Sequence, residues 1–355
     1  MRLVGGRLDF VTGGTRGARR SGRSRWTTPQ RWQRGCGARV TGRMRDAKAM
    51  KIAITGASGL IGSALVPHLS TQGHEVMRLV RRPSTAADEI TWDPKAGTVD
   101  LAKLQGTEAV VHLAGAGVGD HRWTDDYKRQ ILDSRVYGTR TIVEAITNLD
   151  TPPKVLVSAS AIGWYGETGD RRVDESDPAG TGFLADVVRA WEATADPAEQ
   201  AGIRVVHART GLVVAKEGGA WARMFPLFKL GLGGKLGSGR QYWSWISLRD
   251  EVRALEYLIA NETITGPVNL TGPNPATNAE VTAAMGEVLG RPTLLPAPAF
   301  ALKAVLGEFS TEVLGSARVI PAVLERSGFV WDDPTIANAI RTALESAKHA
   351  RLGGK

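Results

Sequence analysis

Lys51-Ile-Ala-Ile-Thr55-Gly56-Ala-Ser-Gly59-Leu-Ile-Gly62 is the stretch that decides the fold. Its β-branched apolar run predicts a buried strand, and three glycines at Gly-x-x-Gly-x-x-Gly spacing follow directly. A helical pattern continues to about Gln72, Gly73-His74 marks a turn, and Glu75–Val80 predicts a second strand. Strand, helix and strand within about 30 residues make a βαβ unit, with parallel strands and a right-handed crossover. Pro67 is the local misfit, because it should kink the helix or move its start. Gly56 permits the tight turn, Gly59 lets backbone N–H groups approach a diphosphate, and Gly62 lets helix and strand pack closely. Thr55, Gly56, Ser58, Gly59, Leu60, Ile61 and Gly62 are therefore the expected dinucleotide-binding loop, at a helix N-terminus that attracts anions.

The end of the second strand selects the dinucleotide. An acid there would accept from the adenosine ribose hydroxyls, whereas an arginine accommodates a 2′-phosphate. The chain reads Leu79-Val80-Arg81-Arg82-Pro83, with two guanidiniums and no acid. Arg81 and Arg82 favour NADP(H) over NAD(H). A solvated strand end is the plainer alternative.

Further strands are expected at Glu89–Trp92, Ala109–Leu113, Lys154–Ser158, Ile203–Ala208 and Gly266–Leu270. Helical patterns at Asp125–Asn148, Phe183–Gln200, Leu248–Ala260 and Asn278–Leu289 alternate with the later ones. That alternation predicts an α/β, Rossmann-type, doubly wound parallel sheet. The expected organisation is a leader at 1–49, a dinucleotide-binding core at 50–210 and a substrate cap at 211–247. A return to the core and substrate region at 248–299 and a helical segment at 300–350, without a strand, complete it.

Charge separates the leader from the rest. Net charge is +9, but residues 1–49 hold twelve Arg and one Lys against only Asp9 and Asp46. The remainder carries 32 basic and 34 acidic side chains, so a nucleic-acid-binding body is rejected. The leader lacks apolar periodicity and is expected to be disordered. It reads as a transit peptide, as a polyanion-binding arm, or as sequence preceding a start at Met50, which the following strand favours. No apolar run reaches eighteen residues, so no membrane span is expected. A single cysteine, Cys36, excludes an internal disulfide framework and a multi-Cys metal site, and fits a cytoplasmic location.

Beyond the glycine loop, several separate blocks carry a resemblance. They include His112-Leu-Ala-Gly-Ala-Gly117, Arg122-Trp123, Asp133-Ser-Arg-Val136, Ser158-Ala-Ser-Ala-Ile-Gly-Trp-Tyr-Gly166 and Trp191-Glu192. Arg209-Thr-Gly-Leu-Val213, Gln241-Tyr-Trp-Ser-Trp-Ile246, Arg249-Asp250 and Gly266-Pro-Val-Asn-Leu270 complete the set. Together they resemble an atypical extended short-chain dehydrogenase/reductase of the NAD(P)-dependent epimerase/dehydratase superfamily. The nearest subfamily is called "epimerase family protein", has no assigned substrate and ends in a short helical domain. The resemblance implies that Leu113, Ala114 and Gly115 lie under the cofactor's ribose and diphosphate. It also implies a Ser or Thr near Ser160 that hydrogen-bonds the reacting oxygen, although a serine at a strand end also caps its own backbone.

The resemblance fails at one place. Most members carry Tyr-x-x-x-Lys on a helix, where the ammonium lowers the phenol's pKa. Here Tyr127, Tyr137, Tyr165, Tyr242 and Tyr257 are followed four residues later by Ile131, Thr141, Gly169, Ile246 and Asn261. In the expected helix, Phe183 or Leu184 stands in the place of Tyr, and Val187 or Val188 in that of Lys. Proton transfer then falls to Tyr165 or, behind it, Asp186, with Ser160 polarising the substrate. Trp123, Trp164, Trp221, Trp243 and Trp245 fall in segments expected to border the cleft and stack on a sugar-like ligand, with packing of the cap the alternative for Trp243 and Trp245. The leading expectation is an NADP(H)-dependent oxidoreductase or epimerase acting on a small polar substrate, as a monomer or homodimer. The rival is a non-catalytic NADP(H)-binding sensor.

Overall fold

Ile52, Ala53 and Ile54 are apolar toward both faces and wholly buried, which puts Lys51–Thr55 (β1) inside the sheet. The computed structural model describes residues 48–352, so the leader expected at 1–49 falls almost wholly outside the described residues. The other strands of the main sheet are Glu75–Val80 (β2), Glu89–Asp93 (β3), Thr98–Val99 (β4), Ala109–His112 (β5), Val155–Ala161 (β6), Arg204–Thr210 (β7) and Gly266–Leu270 (β8). Their spatial order is β8-β7-β6-β5-β1-β2-β3-β4. Every pairing is parallel except β3 with β4. The chain leaves β1 toward β2 and later returns to β5 on its other side. That reversal opens a crevice at the carboxyl ends of β1 and β5, where Thr55 and His112 stand side by side.

The main helices are Leu60–Thr71 (α1), Asp125–Thr147 (α2), Phe183–Ala193 (α3), Gly219–Lys229 (α4), Leu248–Ala260 (α5), Asn278–Leu289 (α6), Ala299–Leu306 (α7) and Ile336–Leu352 (α8). Leu65 and Leu69 of α1 and Leu255 and Leu258 of α5 pack on one face of the sheet. Ile142, Val143 and Ile146 of α2 cover the other. A separate core joins Trp221, Phe225 and Phe228 of α4 with Met285 of α6 and Ile340 of α8. The cap therefore draws on more sequence than 211–247, because an eleven-residue helix cannot bury its apolar side alone. No described helix is long and apolar enough to cross a membrane.

Three local expectations change. α1 starts at Leu60 and runs through Pro67, so the proline does not move the start. The helix expected over Phe183–Gln200 ends at Ala193, and a short one, Asp196–Gln200, restarts with Pro197 in its first turn, where no N–H is needed. Residues beyond Arg291 do contribute a strand: Arg318–Val319 pairs in parallel with Arg172–Val173. Two-residue pairings such as this one and β4 leave no readable periodicity.

Candidate functional site

The glycine loop sits at the carboxyl edge of β1. Gly56 has φ +67°, and a Cβ there would stand 2.9 Å from the Leu113 carbonyl, so the turn and the close approach both need glycine. A Cβ on Gly62 would lie 2.2 Å from the Gly56 oxygen, which fixes helix and loop in contact. A Cβ on Gly59 would meet only the Gly56 oxygen, at 3.2 Å, so its outer side is open. Ser58 and Gly59 are exposed, while Leu60 and Ile61 are half-buried. Gly59 is the N-cap of α1 and makes no side-chain cap, so the first-turn N–H groups remain open to an anion. This cradle fits a dinucleotide diphosphate.

Thr55 ties the loop to the neighbouring strand end. Its hydroxyl oxygen accepts from the backbone N–H of Leu113 (3.0 Å) and Ala114 (3.2 Å). It also shares a 2.8 Å hydrogen bond with Nδ1 of His112. Burial pushes the His112 pKa down to about 4, which keeps the ring neutral. Leu113 and Ala114 are thereby fixed beside Gly56, and Gly115 is left exposed.

The two arginines after β2 diverge. Arg82 makes a bidentate pair with Glu89, at 2.8 and 2.6 Å, and holds that buried carboxyl well below its usual range, at about 2. It is thus committed to the protein. Arg81 is exposed and has no partner among the described residues, so it alone presents a free guanidinium at this strand end.

The next segment, Ala114–Arg122, is held by α2. Ser134 Oγ accepts from the Ala116 N–H, and Arg135 Nη1 donates to the Ala116 carbonyl, both at 3.0 Å. The Tyr127 hydroxyl donates to the Gly117 carbonyl, and the His121 ring meets Tyr127 edge-on at 5.0 Å. Sequence reasoning assigned no role to Ser134, Arg135 or Tyr127. One signal was available: Arg135 interrupts the inward stripe Ile131, Gly138, Ile142 at helical spacing.

The residues expected to carry proton transfer are not brought together. Ser160 is buried and donates to Glu192 Oε1 at 2.5 Å, so its proton is not directed at a ligand. Glu192 is in turn gripped by Arg209 through two 2.8 Å bonds, and Arg209 stacks 3.9 Å from the Trp164 ring centre. The Tyr165 hydroxyl donates to Asn269 at 2.8 Å and accepts from Arg209 at 3.2 Å. Burial outweighs the nearby guanidinium and pushes its pKa up to about 12, opposite to what a proton shuttle near neutrality needs. Asp186 is exposed and paired with Arg189 on the outer side of α3. Leu184 and Val188, one of the two registers expected for the usual Tyr and Lys, are both apolar. Both pack toward Gly163, where a Cβ would stand 3.2 and 3.8 Å from them. The aromatic wall is also corrected: Trp123, Trp221, Trp243 and Trp245 are buried core residues, and Trp164 lies against Arg209.

Comparison with known proteins agrees with this geometry. Residues 52–270 match the NAD dependent epimerase/dehydratase family, and residues 297–343 match a domain of unknown function, DUF1731. An epimerase family protein of Mycobacterium leprae is 48% identical over 293 residues, 82% of this chain and 95% of that protein. The chloroplastic SDR39U1 homologue of Arabidopsis thaliana, also called an epimerase family protein, is 38% identical over 83% of this chain and 87% of its own length. The crystal structure of human epimerase family protein SDR39U1 (isoform 2) with NADPH is 31% identical, with a TM-score of 0.76, covering 83% of this chain and 99% of that one. With these matches along its length, the chain belongs to the NAD dependent epimerase/dehydratase family.

Proposed function

We propose that the chain binds NADP(H) in the β1–β5 crevice and supports hydride exchange with a small polar substrate, as an oxidoreductase or epimerase. The observation that carries the reading is the open anion cradle: an uncapped α1 N-terminus behind Gly56 and Gly59. Thr55 presents the Leu113–Gly115 backbone beneath the same space. Arg81, free at the end of β2, supports the 2′-phosphorylated dinucleotide, and the NADPH in the human relative's structure points the same way. The cofactor supplies the hydride when bound. The chain's own part is to bind, orient and exclude water. Ser160, the expected polarising hydroxyl, and Tyr165 and Asp186, the expected acid/base groups, are engaged elsewhere.

A second reading rests on Leu184 and Val188. These apolar side chains, at one of the two registers expected for the usual Tyr and Lys, favour a non-catalytic NADP(H)-binding protein.

Gly59→Asp tests the cradle cleanly, because a side chain there touches only one backbone oxygen. A carboxylate against the diphosphate should weaken NADPH by roughly 100-fold or more, with the melting temperature unchanged. Wild-type affinity by calorimetry would sink the assignment. NADPH consumption by the wild-type chain with small aldehydes and ketones, together with product analysis for epimer interconversion of sugar nucleotides, separates the two readings. Turnover supports hydride exchange, and tight NADPH binding with none supports the sensor.

A further inference from the structure

We propose that Arg135 is an anion-recognition residue of the crevice, whose guanidinium takes a carboxylate or phosphate oxygen of the bound ligand beside Gly115. The inference rests on the dinucleotide-binding reading and adds the charge class of what that site receives. The residue sits on the inward stripe of α2, with its guanidinium 4.9 Å from the Trp191 ring centre. Nη1 donates to the carbonyls of Ala116 and Ile131, each at 3.0 Å. Nε and Nη2 make no hydrogen bond among the described residues and are not sealed from solvent by them. The side chain runs along bare Gly115, where a Cβ would lie 3.5 Å from the guanidinium carbon.

Among the described residues Arg135 has no carboxylate partner, as is also true of half-buried Arg318, whose Nη1 goes to the Asp170 carbonyl. Among the described residues, Arg82, Arg209 and Arg249 each hold a carboxylate. Arg204, which does not, spends both Nη atoms on the carbonyls of Leu258, Ile259 and Ile264, around the negative end of α5. Arg135 makes no ion pair and lies beside the middle of a helix. Burial depresses its pKa to about 10, with only Tyr127 opposing. A half-buried cation left unmatched is costly in the free protein and is stabilised when an anion arrives. The two idle N–H edges suit a group that presents two oxygens, which a carboxylate or phosphate does. Val187 and Val188, the two expected places for the usual Lys on α3, are apolar, so a cation for this crevice comes from α2 instead.

Titration calorimetry of the full chain, its Arg135→Gln variant and its Arg135→Lys variant tests this with NADPH, malonate and inorganic pyrophosphate as probes. If the anion belongs to the cofactor, Arg135→Gln weakens NADPH about 10- to 100-fold. If it belongs to the second ligand, NADPH affinity holds, while the NADPH-saturated variant binds malonate or pyrophosphate at least about tenfold more weakly than the saturated wild type. Arg135→Lys keeps the charge but loses the two-carbonyl clamp, and its affinity should fall between. Wild-type behaviour of Arg135→Gln with all three probes overturns the proposal. So does failure of the wild type to bind either small anion when NADPH is unaffected. Equal losses in the Gln and Lys variants also overturn it, since they trace the effect to the Ala116 clamp. A wild-type chain that takes no NADPH removes the cofactor reading alone, because malonate and pyrophosphate titrated into the nucleotide-free protein still report on Arg135.

Discussion

The two halves of the carboxyl edge are built in opposite ways. Around β1 and β5 the surface is backbone: bare glycines, open first-turn N–H groups, and a threonine that fixes two more amides. Around β6 and β7 it is side chain, and the side chains saturate one another. Ser160, Glu192, Arg209, Tyr165 and Asn269 form one buried chain of hydrogen bonds. The first half is poised to receive a charged ligand, while the second has already spent its polar groups on the fold. The glycine loop of the proposed cofactor site is present, although none of the five tyrosines is followed by lysine at the fourth position.

Breaking the β6–β7 network should produce the largest effect outside the cradle. Arg209→Leu strands the buried Glu192 carboxylate and should destabilise the fold by about 3–5 kcal/mol, read from urea or guanidinium midpoints. NADPH affinity of the molecules that remain folded should stay near wild type. An unchanged midpoint would mean the network is slack, and the contrast between the halves would fall.

A smaller effect separates the arginines at the end of β2. Arg81→Ala should weaken NADPH about tenfold and NADH hardly at all. Arg82→Ala removes the bidentate partner of Glu89, so it should lower stability and leave the preference for NADPH intact. Equal losses of both dinucleotides on Arg81→Ala would remove the 2′-phosphate argument.

A pH slope tests the helix packed behind β7. Glu251 of α5 is wholly buried, and Thr210 at the end of β7 donates to its Oε1 at 2.8 Å, while Oε2 has no partner. Burial pushes its pKa from 4.5 up to about 8, so the folded chain keeps a proton that the unfolded chain releases. Stability from this group is complete below about 4.5 and declines as pH rises to about 8. Glu251→Gln should remove that share of the decline, and denaturation midpoints at pH 5 and pH 8 would show it. A wild-type slope in the variant would mean that Glu251 is ionised within the fold.

Much of the nucleotide half was legible because its determinants are local. Gly56, Gly59 and Gly62 act through their own backbone within one turn of chain, and β1 and β2 declare themselves by apolar period. Arg82 shows where local reading stops: beside Arg81 in sequence, it looks equally free until Glu89 is brought across from β3. Trp243 and Trp245 likewise suit a cleft wall or a core equally well, and only the arrival of α4, α6 and α8 buries them.

The sequence by itself determined the doubly wound sheet, the Gly-x-x-Gly-x-x-Gly spacing after β1, the absence of Tyr-x-x-x-Lys and the concentration of positive charge in residues 1–49. Each of these is a matter of composition or of spacing along the chain. Only the tertiary structure decided that Ser160 serves Glu192, that Tyr165 is held protonated, and that Arg135 stands without a counter-charge. Those outcomes depend on which groups lie within about 3 Å across strands and helices far apart in sequence. Hydrogen bonding and desolvation act over that distance, and no pattern along the chain encodes it.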